Sequence, residues 1–420
     1  MRSYCKRHIK ILYVITYLVG IGMVMSCDTS SSVEPRFEDY FIKYHGGDGN
    51  QVGVALVEYN DGFVLLGNST LLNGRSKLFV VYTDALGNEV WSDTFGGDLS
   101  VNAVDVAIDN NNNIVIASNI EIAPGDLDIM FFKINPNGEK LDSLIFGAPG
   151  HRDVANNLLI TANGDYVITG YTTNVDRTKP GYDPNTDFED ILSIRVTSAL
   201  ELYEPANWRR IYGFSGIDRG VGLVQKENGS FLFFGTTDRI PTGSTTPPEL
   251  NMFMFPAGSD GVATSASPFQ WFGSSQADEN GASISSTATQ GFAMIGTSEE
   301  SNATTNPFFV VVGASDNLIN SALVSTVNNV ESVAIVQDNL GGFLILGNEQ
   351  VNNASNIFLA RTSFNGVLEW NRSFGGTDND FAGSLLELPD GAIVMVGTIQ
   401  LENQTKLTLI KTTSQGLLSP

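Results

Sequence analysis

The sequence predicts an all-β protein, a seven-bladed β-propeller of four-stranded blades closed by its N-terminal strand, and three observations carry that expectation. First, a turn of Asp/Asn/Gly type recurs at Gly62, Asn113, Gly164, Gly229, Gly291, Gly342 and Gly391, at spacings of 51, 51, 65, 62, 51 and 49 residues. A fixed period of this length marks repeat architectures. Second, each turn leads into an apolar run that ends near a small residue: Gly67, Ala117, Gly170, Gly235, Gly296, Gly347 and Gly397. Third, some of these runs do not alternate, as in Phe231-Leu232-Phe233-Phe234, so both faces of the strand must be covered. Small sheets stacked face to face around an axis cover the middle strands in this way. A sandwich or solenoid shares the composition but does not require four strands per repeat.

Within the first unit, strand a is expected at 54–59, strand b at 63–68, strand c at 77–83 and strand d at 89–95. Tight turns separate a from b, and a second set at Gly87, Gly138, Gly261, Gly366 and Gly416 separates c from d. Strand a, nearest the axis, should be built of small residues. Gly220-Val221-Gly222, Gly281-Ala282-Ser283 and Ala382-Gly383-Ser384 fit. The last unit stops just past its c–d turn, whereas the segment 37–45 runs into Gly46-Gly47 like the end of a strand d. That segment is therefore expected to complete the seventh blade and remove an exposed edge.

The formal net charge is -23, and Arg2, Lys6, Arg7 and Lys10 lie in an N-terminal segment without acids. Without those four, 19 basic residues face 46 acidic ones, a balance that repels phosphate backbones and argues against nucleic-acid binding. An apolar run at 11–25 has the length of a signal-peptide core and is short for a membrane span. It ends in Val24-Met25-Ser26-Cys27, which resembles the lipobox of bacterial lipoproteins. The polar, Ser-containing stretch with Pro35 reads as a flexible tether at 27–36 and leaves 37–420 to the propeller, while the resemblance implies acylation of Cys27 and a signal peptide at 1–26. It also implies a lipid-anchored protein of the bacterial cell envelope, expected at the outer membrane. Asp28, directly after the cysteine, leaves inner-membrane retention open. The other cysteine, Cys5, lies in the segment to be removed, so no internal disulfide is expected.

Phe95-Gly96-Gly97 and Phe374-Gly375-Gly376, an acid several residues later, the Asp/Asn-Gly turn and Gly397-Thr398 resemble the seven-bladed propeller repeats of exported bacterial proteins and lipoproteins. The similarity covers nearly all of 41–420 and is weak in unit six, where 326–331 lacks the Gly-Gly. It implies fold and export, and no single activity.

The acids after the Gly-Gly segment, Asp105, Asp153, Asp218, Asp278 and Asp380, suit calcium by residue type, yet an acid repeated in blade after blade is more simply a side chain closing a loop on backbone amides. No calcium motif is present, and no cofactor is expected. Trp91, Trp208, Trp271 and Trp370 recur near one strand position and read as packing between blades. Only His45 and His151 lie beyond the signal segment, no Gly-x-Ser-x-Gly elbow occurs, and no pair of carboxylates is singled out for glycoside hydrolysis. The Ser-x-Asp-x-Gly-x-Thr-Trp box of propeller sialidases is not reproduced at 83–91.

Departures from the period are more informative. The two long intervals arise from insertions between strands b and c of units three and four, at 174–190 and 238–251. Loops b–c and d–a open on one face of a propeller, so these insertions should rise over His151, Arg152 and Asp153 and over Asp218 and Arg219. With Arg177, Tyr182, Asp183 and Phe188 of the first insertion and Arg239 of the second, they form the candidate binding set. The expectation is a monomeric, non-enzymatic propeller that binds a protein or glycan at the envelope. A carbohydrate-active enzyme using carboxylates on the same face and a purely structural envelope component are the alternatives.

Overall fold

The computed structural model describes residues 39–71, 74–178, 182–184, 188–203, 208–214, 216–238, 250–263, 269–274 and 277–419. Cys27, the expected signal and tether segments, and Arg239 lie outside the described residues.

The seven repeats fold as seven four-stranded antiparallel sheets in a ring, a seven-bladed β-propeller. Blade one runs Asn50–Tyr59, Gly62–Thr70, Ser76–Asp84 and Glu89–Phe95 from strand a to strand d. The other strands a are Ser100–Ile108, Asp153–Ile160, Asp218–Gln225, Ala277–Ser286, Val330–Gln337 and Phe381–Glu387. Blade seven takes its outer strand from the other end of the chain: Phe41–His45 pairs with Gln404–Thr412, Phe41 opposite Lys411 and His45 opposite Leu407. The expected closure is thus present, over a slightly shorter strand.

Period-two geometry explains the unbroken apolar runs. Val64 and Leu66 of blade one pack with Ile114, Ile116 and Phe132 of blade two, while Phe63 and Leu65 turn to Val394, Val396 and Leu407 of blade seven. The core therefore lies between blades as a series of interfaces, each burying fully covered side chains worth roughly 1.5–3 kcal/mol apiece.

All seven strands a carry a β-bulge at one level, at Val54, Val104, Asn156, Val221, Ala282, Val333 and Gly383. Opposite it on strand b stands the small residue of the repeat, and a Cβ there would meet a strand-a carbonyl: 1.9 Å at Gly67 and Gly170, 2.3 Å at Gly296. In blade two the register places Ser118 at this level, one residue beyond Ala117. The bulges line a small central cavity of about 140 Å³.

Tryptophans pack between blades as expected. The rings of Trp91, Trp208 and Trp370 cover the c–d turn glycines Gly138, Gly261 and Gly416 of the following blades, and Phe41 covers Gly87. Trp91 Nε1 also donates to Pro136 O over 3.1 Å. Trp271 departs from the pattern and packs beside Phe214 and Phe269.

Candidate functional site

Each blade is tied to the next by a short polar staple. The residue after the strand-b small residue accepts a hydrogen bond from the amide just before the next blade's bulge. Asn68 accepts from Ala103 (3.1 Å), Asn119 from Ala155 (2.8 Å), Thr236 from Gly281 (2.8 Å) and Thr297 from Ser332 (2.8 Å). Asn348 accepts from Ala382 (2.8 Å) and Thr398 from Gly53 (3.0 Å), which carries the pattern through the closure. At the junction of blades three and four the place belongs to Tyr171, and Asn156 Nδ2 bonds Gly220 O over 2.7 Å instead.

Around Tyr171 the structure gathers a cluster from three loops. The Arg219 guanidinium lies over the Tyr171 ring at 5.4 Å, and Arg152 Nη2 donates to the Tyr171 hydroxyl over 3.3 Å. Glu189, at the end of the blade-three insertion, forms an ion pair with Arg219, and this bond holds the guanidinium pKa above its ordinary value. The backbone fixes the set. Arg152 N donates to Thr173 Oγ1 and Thr173 N to Arg152 O, both at 2.9 Å, while Asp218 N donates to Glu189 O at 2.9 Å. The enlarged loop is thus stitched at its start to one d–a loop and at its end to the next, on the face expected.

Of the sequence-derived candidates, His151, Arg152 and Arg219 come together here. His151 is half-buried, its Nδ1 3.5 Å from Thr173 Oγ1. Phe188 is 55% exposed beside Glu189, Arg177 and Asp183 are exposed, and Tyr182 is half-buried. Asp153 and Asp218 are fully buried and offer no surface to a partner. Asp153 Oδ2 accepts from Ala148 N at 2.6 Å and Asp218 Oδ2 from Phe214 N at 2.5 Å, closing their d–a loops. Asp380 does the same with Gly376 N at 2.7 Å. The register corrects the rest of that series. Glu279, not Asp278, holds the position in blade five, and Asp105 sits on the other side of its bulge, in the channel wall. Burial pushes the Asp105 carboxyl up to about 6, against the opposing pull of Leu158 N, Val106 N and Asn157.

Sequence reasoning missed Tyr171 and, as a member of the set, Glu189. The signal for Tyr171 was present: the residues after the strand-b small position read Asn68, Ser118, Tyr171, Thr236, Thr297, Asn348 and Thr398, and one of them is not a small polar residue. Among the described residues no group of three or more His, Cys, Asp or Glu side chains is placed to hold a metal ion. What the cluster offers is a phenol and two guanidiniums, that of Arg152 exposed and that of Arg219 paired with Glu189, a combination suited to a planar anionic group.

Fold and site together define a seven-bladed propeller whose blade-to-blade staple is replaced by a basic and aromatic cluster under its enlarged loop. No protein-family model and no curated protein sequence matches this chain. Among solved structures it is similar to a PL25 polysaccharide lyase, an ulvan lyase, at 8% identity over 91% of this chain and 97% of that one, with a TM-score of 0.55. It is also similar to a protein of unknown function from Dyadobacter fermentans (12% identity, 74% and 94% covered, TM-score 0.47) and to Drosophila plexin A (9%, 89% and 86%, 0.47). Likeness at these identities concerns the fold.

Proposed function

We propose that the chain is a lipid-anchored binding module of a bacterial cell envelope, acting as a monomer. In this reading it holds a protein or glycan by an anionic group at the junction of blades three and four. The observation that carries the binding site is the replacement of the staple by Tyr171, with Arg152 and Arg219 drawn to it. In a chain of net charge -23, two arginines meeting at one aromatic side chain depart from the prevailing acidic composition, and the exposed Arg152 carries the charge that Glu189 does not pair. Phe188, next to Glu189 in sequence, is exposed. The Val24–Cys27 stretch and the repeat pattern support export and acylation, with the outer membrane as destination.

Binding is tested by screening the purified full chain against carboxylated and sulfated glycans and against envelope proteins, beside the double variant Arg152→Ala, Arg219→Ala. A ligand lost by the variant with an unchanged melting curve supports the reading; a ligand held equally by both overturns it. Release of shortened glycan in the same assay would replace binding with catalysis. Labelling with palmitate that persists in Cys27→Ala would remove the anchor.

A further inference from the structure

The face formed by the a–b and c–d turns, opposite the arginine cluster, is uneven in charge. Blades one to four expose Asp61, Glu89, Glu139, Glu201, Glu227 and Asp260 there, at least one acid in each. Among the described residues, the only charged side chains exposed at the turns of blades five to seven are Asp390 and Glu369, and Glu369 is paired with Arg361. Apolar side chains stand in place of the acids. Leu340 is 74% and Val367 64% exposed, and Leu318, Ile319, Phe364 and Leu417 are exposed around them. Two hydrogen bonds join these turns across the blade junctions. Asn320 Nδ2, next to Ile319, donates to Phe364 O over 2.7 Å, and Asn339 Nδ2, next to Leu340, donates to Leu388 O of blade seven over 3.3 Å. The exposed apolar residues therefore stand on three adjoining blades of one face.

We propose that this sector rests on the lipid surface that holds the anchor, so that the arginine cluster points away from the membrane. The inference rests on the reading of Cys27 as a lipid anchor and adds an orientation to it. The described chain begins at Asp39, and Phe41 pairs with Lys411 at the end of strand c of blade seven, just before the c–d turn. The anchored segment thus joins the propeller on this face and at this sector. Asp39 follows Cys27 by 12 residues, a reach of at most about 40 Å. A tether that short holds the face near the bilayer at an effective concentration on the order of millimolar, so a shallow apolar patch too weak to bind lipid from solution suffices. The charge distribution sets the tilt. Acids on blades one to four are repelled by anionic headgroups, whereas blades five to seven can approach them. Lipid is favoured over a second copy because the tether supplies it to every molecule.

The test reconstitutes the acylated protein in vesicles of phosphatidylethanolamine and phosphatidylglycerol, with one thiol introduced as Leu340→Cys or, in the b–c loop of blade five on the opposite face, as Ser301→Cys. Each thiol carries an environment-sensitive fluorophore. The label at 340 should shift to the blue and be quenched by lipids brominated in their acyl chains, and the label at 301 should do neither. Leu318→Glu with Val367→Glu should abolish both effects at 340 while the protein still floats with the vesicles and its melting curve is unchanged. An unquenched label at 340 on protein that floats, or quenching insensitive to the two glutamates, overturns the orientation and leaves the anchor standing. Failure to float overturns the anchor and the orientation together. Energy transfer between labels at 340 that persists as the protein is diluted into excess lipid assigns the sector to a second copy and overturns the lipid contact.

Discussion

Asn157 holds Asp105 across the junction of blades two and three. Its Nδ2 donates to Asp105 Oδ2 over 3.0 Å, and its Oδ1 accepts from Leu223 N of blade four over 3.2 Å. One amide thus links three blades around the channel, and it does so beside a carboxylate that burial disfavours in its charged form.

The first prediction follows from that carboxylate. A folded pKa of about 6, above the ordinary value of 3.8, means that the folded protein binds the proton more tightly than the unfolded chain. Its contribution is full below the unfolded value and is lost as pH rises through about 6. Relative to Asp105→Asn, the natural protein should lose about 2–3 kcal/mol of stability between acid and neutral pH. Urea titrations of both proteins across that range check it; a difference independent of pH would refute the linkage.

The staples provide the second. Asn119 makes two bonds across its junction, Oδ1 with Ala155 N at 2.8 Å and Nδ2 with Ala155 O at 3.1 Å, so Asn119→Ala strands both groups. The expected cost is about 1–3 kcal/mol in denaturant unfolding. Tyr171→Asn, by contrast, supplies the side chain that three other junctions use, at Asn68, Asn119 and Asn348, and should keep the fold while removing the cluster. If Tyr171→Asn destabilises as much as Asn119→Ala, Tyr171 is a structural residue and not an exception to the repeat.

Glycines in the repeat are not equivalent, which gives the third. A Cβ at Gly67 would stand 1.9 Å from Val52 O, whereas one at Gly376 has nothing within 4 Å. Gly67→Ala should therefore cost at least about 1–3 kcal/mol, and Gly376→Ala should fall within about 0.5 kcal/mol of the natural protein. Thermal melts of the pair, side by side, decide it.

The fourth concerns the closing strand. His45 is 5% exposed, and burial lowers its pKa below 6.5 although Glu89 lies 3.9 Å away. The folded state therefore releases this proton first, so the His45 contribution to stability is level above pH 6.5 and declines as pH falls below it, opposite in sign to that of Asp105. His45→Gln should flatten that decline in melting temperature. An identical slope in both proteins would show that other groups control it.

Much of the ring was legible because its causes are local. A tight turn demands Asp, Asn or Gly wherever it occurs, and a strand covered on both faces is apolar throughout, as Phe231–Phe234 shows. The closure was legible because the last unit lacked a partner that 37–45 could supply. The level of the bulge was not. A one-residue insertion moves every later side chain to the opposite face, so Asp105 and Asp278 looked equivalent to Asp153 and only the register separates them. The cluster was half legible for the same reason. Arg152 and Arg219 stood in loops already under suspicion, but their meeting at Tyr171 depends on strand b of one blade and the loops on either side of it.

The pairing of Phe41 with Lys411 joins residues separated by nearly the whole described chain. Six blades can assemble from neighbours in sequence, each closing a short loop, but the seventh waits for the far end of the polypeptide. Until then the incomplete ring exposes an unpaired edge on Gln404–Thr412 and an uncovered face on blade one. Ring closure is thus the step of highest contact order, and folding should show a late phase whose rate responds to changes at Phe41 and Leu407 more than to changes in any single internal blade.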